Sequence, residues 1–154
     1  MGEEKQYPSS EQLMPENQPY PGRESAMKPR PVSDLSNYRA ADKLRSKVAI
    51  ITGGDSGIGR AVAVAYAMEG ADVAIVYNIS DEDAKDTSQM VEHHNQQCLL
   101  IKADISRSDN CRRVVAQTVE QLGRVNILVN NAAYGQETSL NKRTSRKPCA
   151  ILMA

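Results

Sequence analysis

The chain contains no tryptophan and no phenylalanine, and only three cysteines and two histidines among its 154 residues. Six tyrosines are its whole aromatic supply. That is thin for a complete enzyme core and is a first hint that part of a larger unit is missing. Cys98, Cys111 and Cys149 are odd in number and widely spaced, with no C-x-x-C, so they read as reduced thiols of a cytoplasmic protein, two of them in the core. Charge of one sign is lacking as well. With 19 basic against 19 acidic residues, nothing favours a nucleic acid or an acidic membrane surface as partner. No apolar run approaches the ~20 residues of a membrane span, and the opening MGEEKQYPSS has neither the basic nor the apolar part of a secretory leader. His93 and His94 fall near the end of a helical stretch with no third ligand in view, so no metal site is expected.

What is present is organised around residues 47–60, KVAIITGGDSGIGR. Val48, Ala49, Ile50 and Ile51 form the continuous apolar run that a parallel strand covered on both faces requires. Gly53, Gly54, Gly57 and Gly59 then allow a tight turn and close backbone approach. From Ile58 the pattern becomes helical, with Ala61, Val62, Ala65 and Tyr66 at helical spacing. A helix that opens on glycines presents free N–H groups and a partial positive charge, which suits a diphosphate. The spacing is not G-x-G-x-x-G, because Val62 stands where the third glycine would be. It is T-G-x-x-x-G-x-G: Thr52, Gly53, Gly57, Gly59.

Upstream, residues 1–46 are polar and hold six of the seven prolines, which predicts an arm that is extended and largely unfolded alone. Tyr20, Met27 and Tyr38 are its candidate contact points with the folded part. Downstream, strands are expected at 47–52, Asp72–Tyr77, Cys98–Lys102 and 125–130, and helices at 57–69, 81–95 and 107–122. This βαβαβαβ order predicts a parallel α/β sheet, the first half of a doubly wound nucleotide-binding fold.

The T-G-x-x-x-G-I-G turn, the Ala103-Asp104-Ile105 segment after the third strand and the Asn130-Asn131-Ala132-Ala133 segment after the fourth together resemble the short-chain dehydrogenase/reductase family over residues 47–133. Ala133 stands where the family's N-N-A-G has glycine. The proline-rich leader is similar to that of a bacterial subgroup, in which it resembles an arm used in subunit contacts; a loose tail is the other reading. The resemblance implies the N-terminal half of a Rossmann sheet at residues 47–134, holding NAD or NADP as cofactor. Diphosphate contacts would come from Gly53, Asp55, Ser56, Gly57, Ile58 and Gly59. Tyr77 and Asn78 would lie at the adenosine ribose, Asp104 and Ile105 at the adenine, and Asn131, Ala132 and Ala133 along the ribose wall. For Asp104 the alternative role is capping the third helix. Neither an acid nor an arginine ends the second strand, Arg60 could reach a phosphate, and Asp81, Glu82 and Asp83 could oppose one, so NAD and NADP both stay open.

The family's chemistry also needs a Tyr with Lys four residues on, and a Ser. Four residues after the six tyrosines stand Glu11, Glu24, Asp42, Gly70, Asp81 and Thr138, none of them Lys. No catalytic residue is therefore assigned, and no turnover is expected from this chain alone. A small carbonyl or alcohol would be the substrate only of an intact relative, which the family leads one to expect as a homo-oligomer. The alternative is a non-enzymatic nucleotide-binding or partner-docking module. Residues 135–154 are basic and aperiodic, which fits either a lost reading frame near Asn141 or a short relative with a new C-terminus. The resulting fold is expected to be marginal, with an apolar fourth strand at its edge.

Overall fold

The computed structural model describes residue 35 and residues 38–133. Four strands alternate with three helices: β1 (Val48–Thr52), α1 (Gly57–Met68), β2 (Asp72–Tyr77), α2 (Asp81–Glu92), β3 (Cys98–Lys102), α3 (Ser108–Leu122) and β4 (Ile127–Asn130). All pair in parallel in one sheet of order β3-β2-β1-β4. The apolar β1 run occupies a central place, and every one of its five residues is buried.

Alternate residues of the strands feed two cores, because successive side chains of a strand point to opposite faces. Ala49, Ile51, Val73 and Ile75 pack with Ala63 and Ala67 of α1 and Val91 of α2. Ile50, Ala74, Val76 and Ile101 pack on the other face with Val114 of α3. Right-handed crossovers require this division: moving outward from β1 through β2 to β3 places α1 and α2 on one side, and the return to β4 carries α3 to the other.

Five boundaries and one helical face differ from the sequence reading: β1 starts at Val48 and α1 ends at Met68, each one residue inside the expected span. α2 ends at Glu92 rather than 95, since His94 and Asn95 donate backbone N–H groups back to Val91 and Glu92 in tight turns and Asn95 takes a left-handed φ of 60°. α3 starts at Ser108, one residue late. β4 starts at Ile127, because Asn126 turns its side chain back so that Oδ1 accepts from the Val48 N–H at 3.0 Å. In α1 the buried residues are Gly59, Arg60, Ala63, Val64 and Ala67, whereas the stripe of Ala61, Val62, Ala65 and Tyr66 is only half-buried. The helix is apolar on most of its circumference because it packs against the sheet and α2 together, and small residues let both neighbours approach.

Of the arm's three candidate contacts, Tyr20 and Met27 lie outside the described residues. Tyr38 donates its hydroxyl to Glu69, at the end of α1. Glu69 also accepts from the backbone N–H groups of Ala41 at 3.1 Å and Lys43 at 2.8 Å, and the Lys43 ammonium lies 3.4 Å away. Residues 38–46 are thus fastened to the edge of the sheet where the strands begin. Of the cysteines, Cys111 is buried and Cys98 half-buried, its thiol pushed up to about 11 by burial; both are free, and Cys149 lies outside the described residues. His93 is exposed, and among the described residues no group of three or more His, Cys, Asp or Glu could hold a metal.

Candidate cofactor site

The site is built where the four parallel strands end. After Thr52 the chain turns through Gly53, whose φ is +64°, and enters α1 at Gly57, whose φ is +53°. Each glycine has a separate reason. A Cβ on Gly59 would stand 2.0 Å from the Gly53 carbonyl oxygen and 2.6 Å from Asn131 Nδ2, so only glycine lets α1 seat against the turn. A Cβ on Gly57 would meet nothing within 4 Å, so that side is open for a ligand to approach backbone. Beside it, Ile58 is 77% exposed, an apolar side chain at the mouth of the turn.

The ends of β1 and β4 are laced together by polar side chains. Thr52 is 1% exposed; its hydroxyl donates to the Val129 carbonyl at 3.3 Å and accepts the N–H groups of Asn131 and Ala132, each at 3.0 Å. Asn131 Nδ2 donates to the carbonyls of Thr52 at 3.1 Å and Gly53 at 3.0 Å. Asn131 therefore holds the glycine turn as a positioning group, while Ala132 and Ala133 stay exposed beside it. Thr52 was read as part of the motif but not as a structural centre, because its partners lie some eighty positions away along the chain.

A second cluster closes the far corner. Tyr77 pairs in register with Lys102. The Tyr77 hydroxyl donates to Asp81 Oδ1 at 3.0 Å, and Lys102 Nζ donates to both Asp81 oxygens at 3.0 and 2.7 Å. These bonds hold the Asp81 carboxyl below its ordinary range, the Lys102 bond first and then that of Tyr77. The Tyr77 phenol is pushed up, first by burial and then by Asp81 and the nearby Asp55 charge. Asn78 is exposed at the rim. Lys102 was missed by the sequence reading, since only the β2–β3 register brings it opposite Tyr77.

Asp104 is exposed and organises the entry to α3. Its carboxylate accepts the Ser106 N–H at 3.0 Å, which lowers its pKa, and its carbonyl accepts from Asn110 Nδ2 at 2.9 Å. Ile105 is half-buried against the second core. Two expected roles change. Arg60, a candidate phosphate ligand by sequence, is 7% exposed and turned inward, because it donates to carbonyls of Asp55 and Asp83. Asp83 is 2% exposed, 3.7 Å from the Arg60 guanidinium, and so does not face an incoming phosphate.

A parallel α/β sheet with a glycine turn opening the first helix, at the carboxyl edge of its strands, defines a dinucleotide-binding class of protein. The chain belongs to the short chain dehydrogenase family, whose model matches residues 47–151. It is 56% identical over 112 residues to general stress protein 39 of Bacillus subtilis, covering 73% of this chain and 39% of that protein. A short chain dehydrogenase of Burkholderia cenocepacia solved with NADP superposes with a TM-score of 0.63 at 38% identity, over 66% of this chain and 42% of that one. Carveol dehydrogenase of Mycobacterium avium, solved with NAD, gives 0.59 at 30% identity, over 62% of this chain and 38% of that one. The chain thus spans less than half the length of these relatives. Relatives bind nicotinamide dinucleotides of both kinds. Among the described residues no helix is long and apolar enough to cross a membrane.

Proposed function

We propose that this chain binds a nicotinamide dinucleotide, and that it is the cofactor-binding portion of an oxidoreductase acting on a small carbonyl or alcohol. The observation carrying this reading is the glycine turn, which leaves space on the Cβ side of Gly57 while Asn131 holds the turn at the Gly53 carbonyl. Gly53, Asp55, Ser56, Gly57 and Ile58 would hold the diphosphate, Tyr77 and Asn78 the adenosine ribose, Asp104 and Ile105 the adenine, and Ala132 and Ala133 the remaining wall, with Gly59 and Asn131 supporting the turn. When bound, the nicotinamide supplies hydride transfer; this chain's residues bind and orient. Asp81 and Lys102 are paired to each other at the ribose corner, so that neither charge alone selects a cofactor, and either cofactor is compatible with it.

The test is a titration of the purified chain against NADH and NADPH, followed by cofactor fluorescence. Saturable binding without oxidation of NAD(P)H by a panel of aldehydes and ketones is expected. Absence of binding to both would remove the reading. A second reading, a non-enzymatic module that docks on a partner, is favoured by the β4 edge, where Leu128 is 39% exposed. Cofactor binding together with a stable hetero-oligomer would select it.

A further inference from the structure

Arg60 sits where helix electrostatics does not want it. A cation in the first turn of a helix opposes the dipole, and burying a guanidinium is unfavourable unless it is fully engaged. What engages it is the glycine turn. The Asp55 carbonyl, midway between Gly53 and Gly57, accepts from Arg60 Nε at 3.2 Å, Arg60 Nη2 at 2.8 Å and the Thr87 hydroxyl at 2.8 Å. Arg60 Nε also donates to Thr87 Oγ1 at 2.8 Å, and Nη2 donates to the Asp83 carbonyl at 3.1 Å. Thr87 is fully buried. A segment built of glycines has no side-chain packing of its own, so its shape must be set by what grips its backbone. Asn131 grips one end, at the Gly53 carbonyl; Arg60 and Thr87 grip the middle.

We infer that Arg60, with Thr87 and Asp83 of α2, is the positioning device for the diphosphate-binding turn: the clamped Asp55 carbonyl fixes the path of the backbone that the diphosphate would approach. This rests on the dinucleotide reading above. Asp83 balances the charge of Arg60, so the clamp acts by holding shape and not by attracting the phosphates.

The test compares ADP-ribose, which carries the diphosphate, with adenosine, which does not, by calorimetric titration of the full chain. The variants are Thr87→Val, which removes one grip with little change in volume, and the double variant Arg60→Met/Asp83→Asn, which leaves no buried charge unpaired. Arg60→Lys keeps the charge but loses the fork. Affinity for ADP-ribose should fall on the order of tenfold in the first two variants, as small misplacements of a binding group do, with Arg60→Lys between them and the parent chain. Adenosine affinity should not change, and the loss should not track the shift in melting temperature. Equal losses for adenosine and ADP-ribose would reduce the network to a helix–helix contact and overturn the inference, as would ADP-ribose binding unchanged in all three variants. If the parent chain binds neither probe, the dinucleotide reading fails first and the inference falls with it.

Discussion

At the scale of the residue, the site depends on atoms whose substitution has a readable cost. Gly59→Ala places a Cβ 2.0 Å from the Gly53 oxygen, against backbone that cannot yield. Loss of at least about 2–3 kcal/mol in chemical denaturation is expected, at the upper end of overpacking. Asn131→Ala strands the carbonyls of Thr52 and Gly53; it should lower stability by about 1–3 kcal/mol and weaken dinucleotide binding in the same titration. Glu69 answers to pH. Its carboxyl is held down to about 2 from an ordinary 4.5, first by the Tyr38 hydroxyl and then by the Lys43 N–H, with its own burial opposing them. A depressed pKa contributes stability that is complete above about 4.5 and is lost as pH falls toward 2. Unfolding followed across that window should show the loss in the parent chain and a flatter profile in Glu69→Gln.

At the scale of the element, the lessons concern what joins one strand end to the next. The glycine spacing, the apolar β1 run and the Asp-rich opening of α2 were legible because each follows from local geometry. Ser80 caps α2, accepting from the Asp83 N–H at 3.4 Å. The inward turn of Arg60 was not legible, since nothing in its neighbours along the chain states that α2 stands over it. The same holds for Lys102, which meets Asp81 across a gap of 21 residues. That pair is about half exposed on both sides, so its removal should alter stability by less than about 1 kcal/mol. Its effect should instead appear in cofactor choice. Asp81→Asn frees the Lys102 ammonium beside the proposed ribose corner and should move the NADPH-to-NADH affinity ratio several-fold toward NADPH, measured at low salt. A ratio that does not move would place the ribose elsewhere.

At the scale of the whole molecule, the sheet has an edge. Among the described residues β4 pairs only with β1, and Leu128 is 39% exposed on the α3 side, where Val115 and Val119 of α3 are 37% and 46% exposed. An apolar strand edge of this kind invites pairing with another chain. Concentration-dependent self-association in sedimentation, reduced in Leu128→Lys, is the expected outcome, together with a melting midpoint below the ~50 °C ordinary for mesophile domains. Monomeric behaviour at high concentration would show the edge to be protected.

The order of elements, the parallel sheet, the family and the glycine turn were determined by the sequence alone, because hydrophobic period, glycine spacing and helix signals act over a few residues. Which of the polar residues face a ligand and which are spent on structure was decided only in three dimensions. Thr52, Arg60, Glu69 and Lys102 take their roles from partners 21 to 80 positions away, except for the local Asp55 bond, and the Tyr38–Glu69 latch spans 31. Those meetings are set by strand register and by the seating of α2 over α1. Both are properties of the packed whole, in which two apolar faces must be covered at once, and no short stretch of chain encodes them.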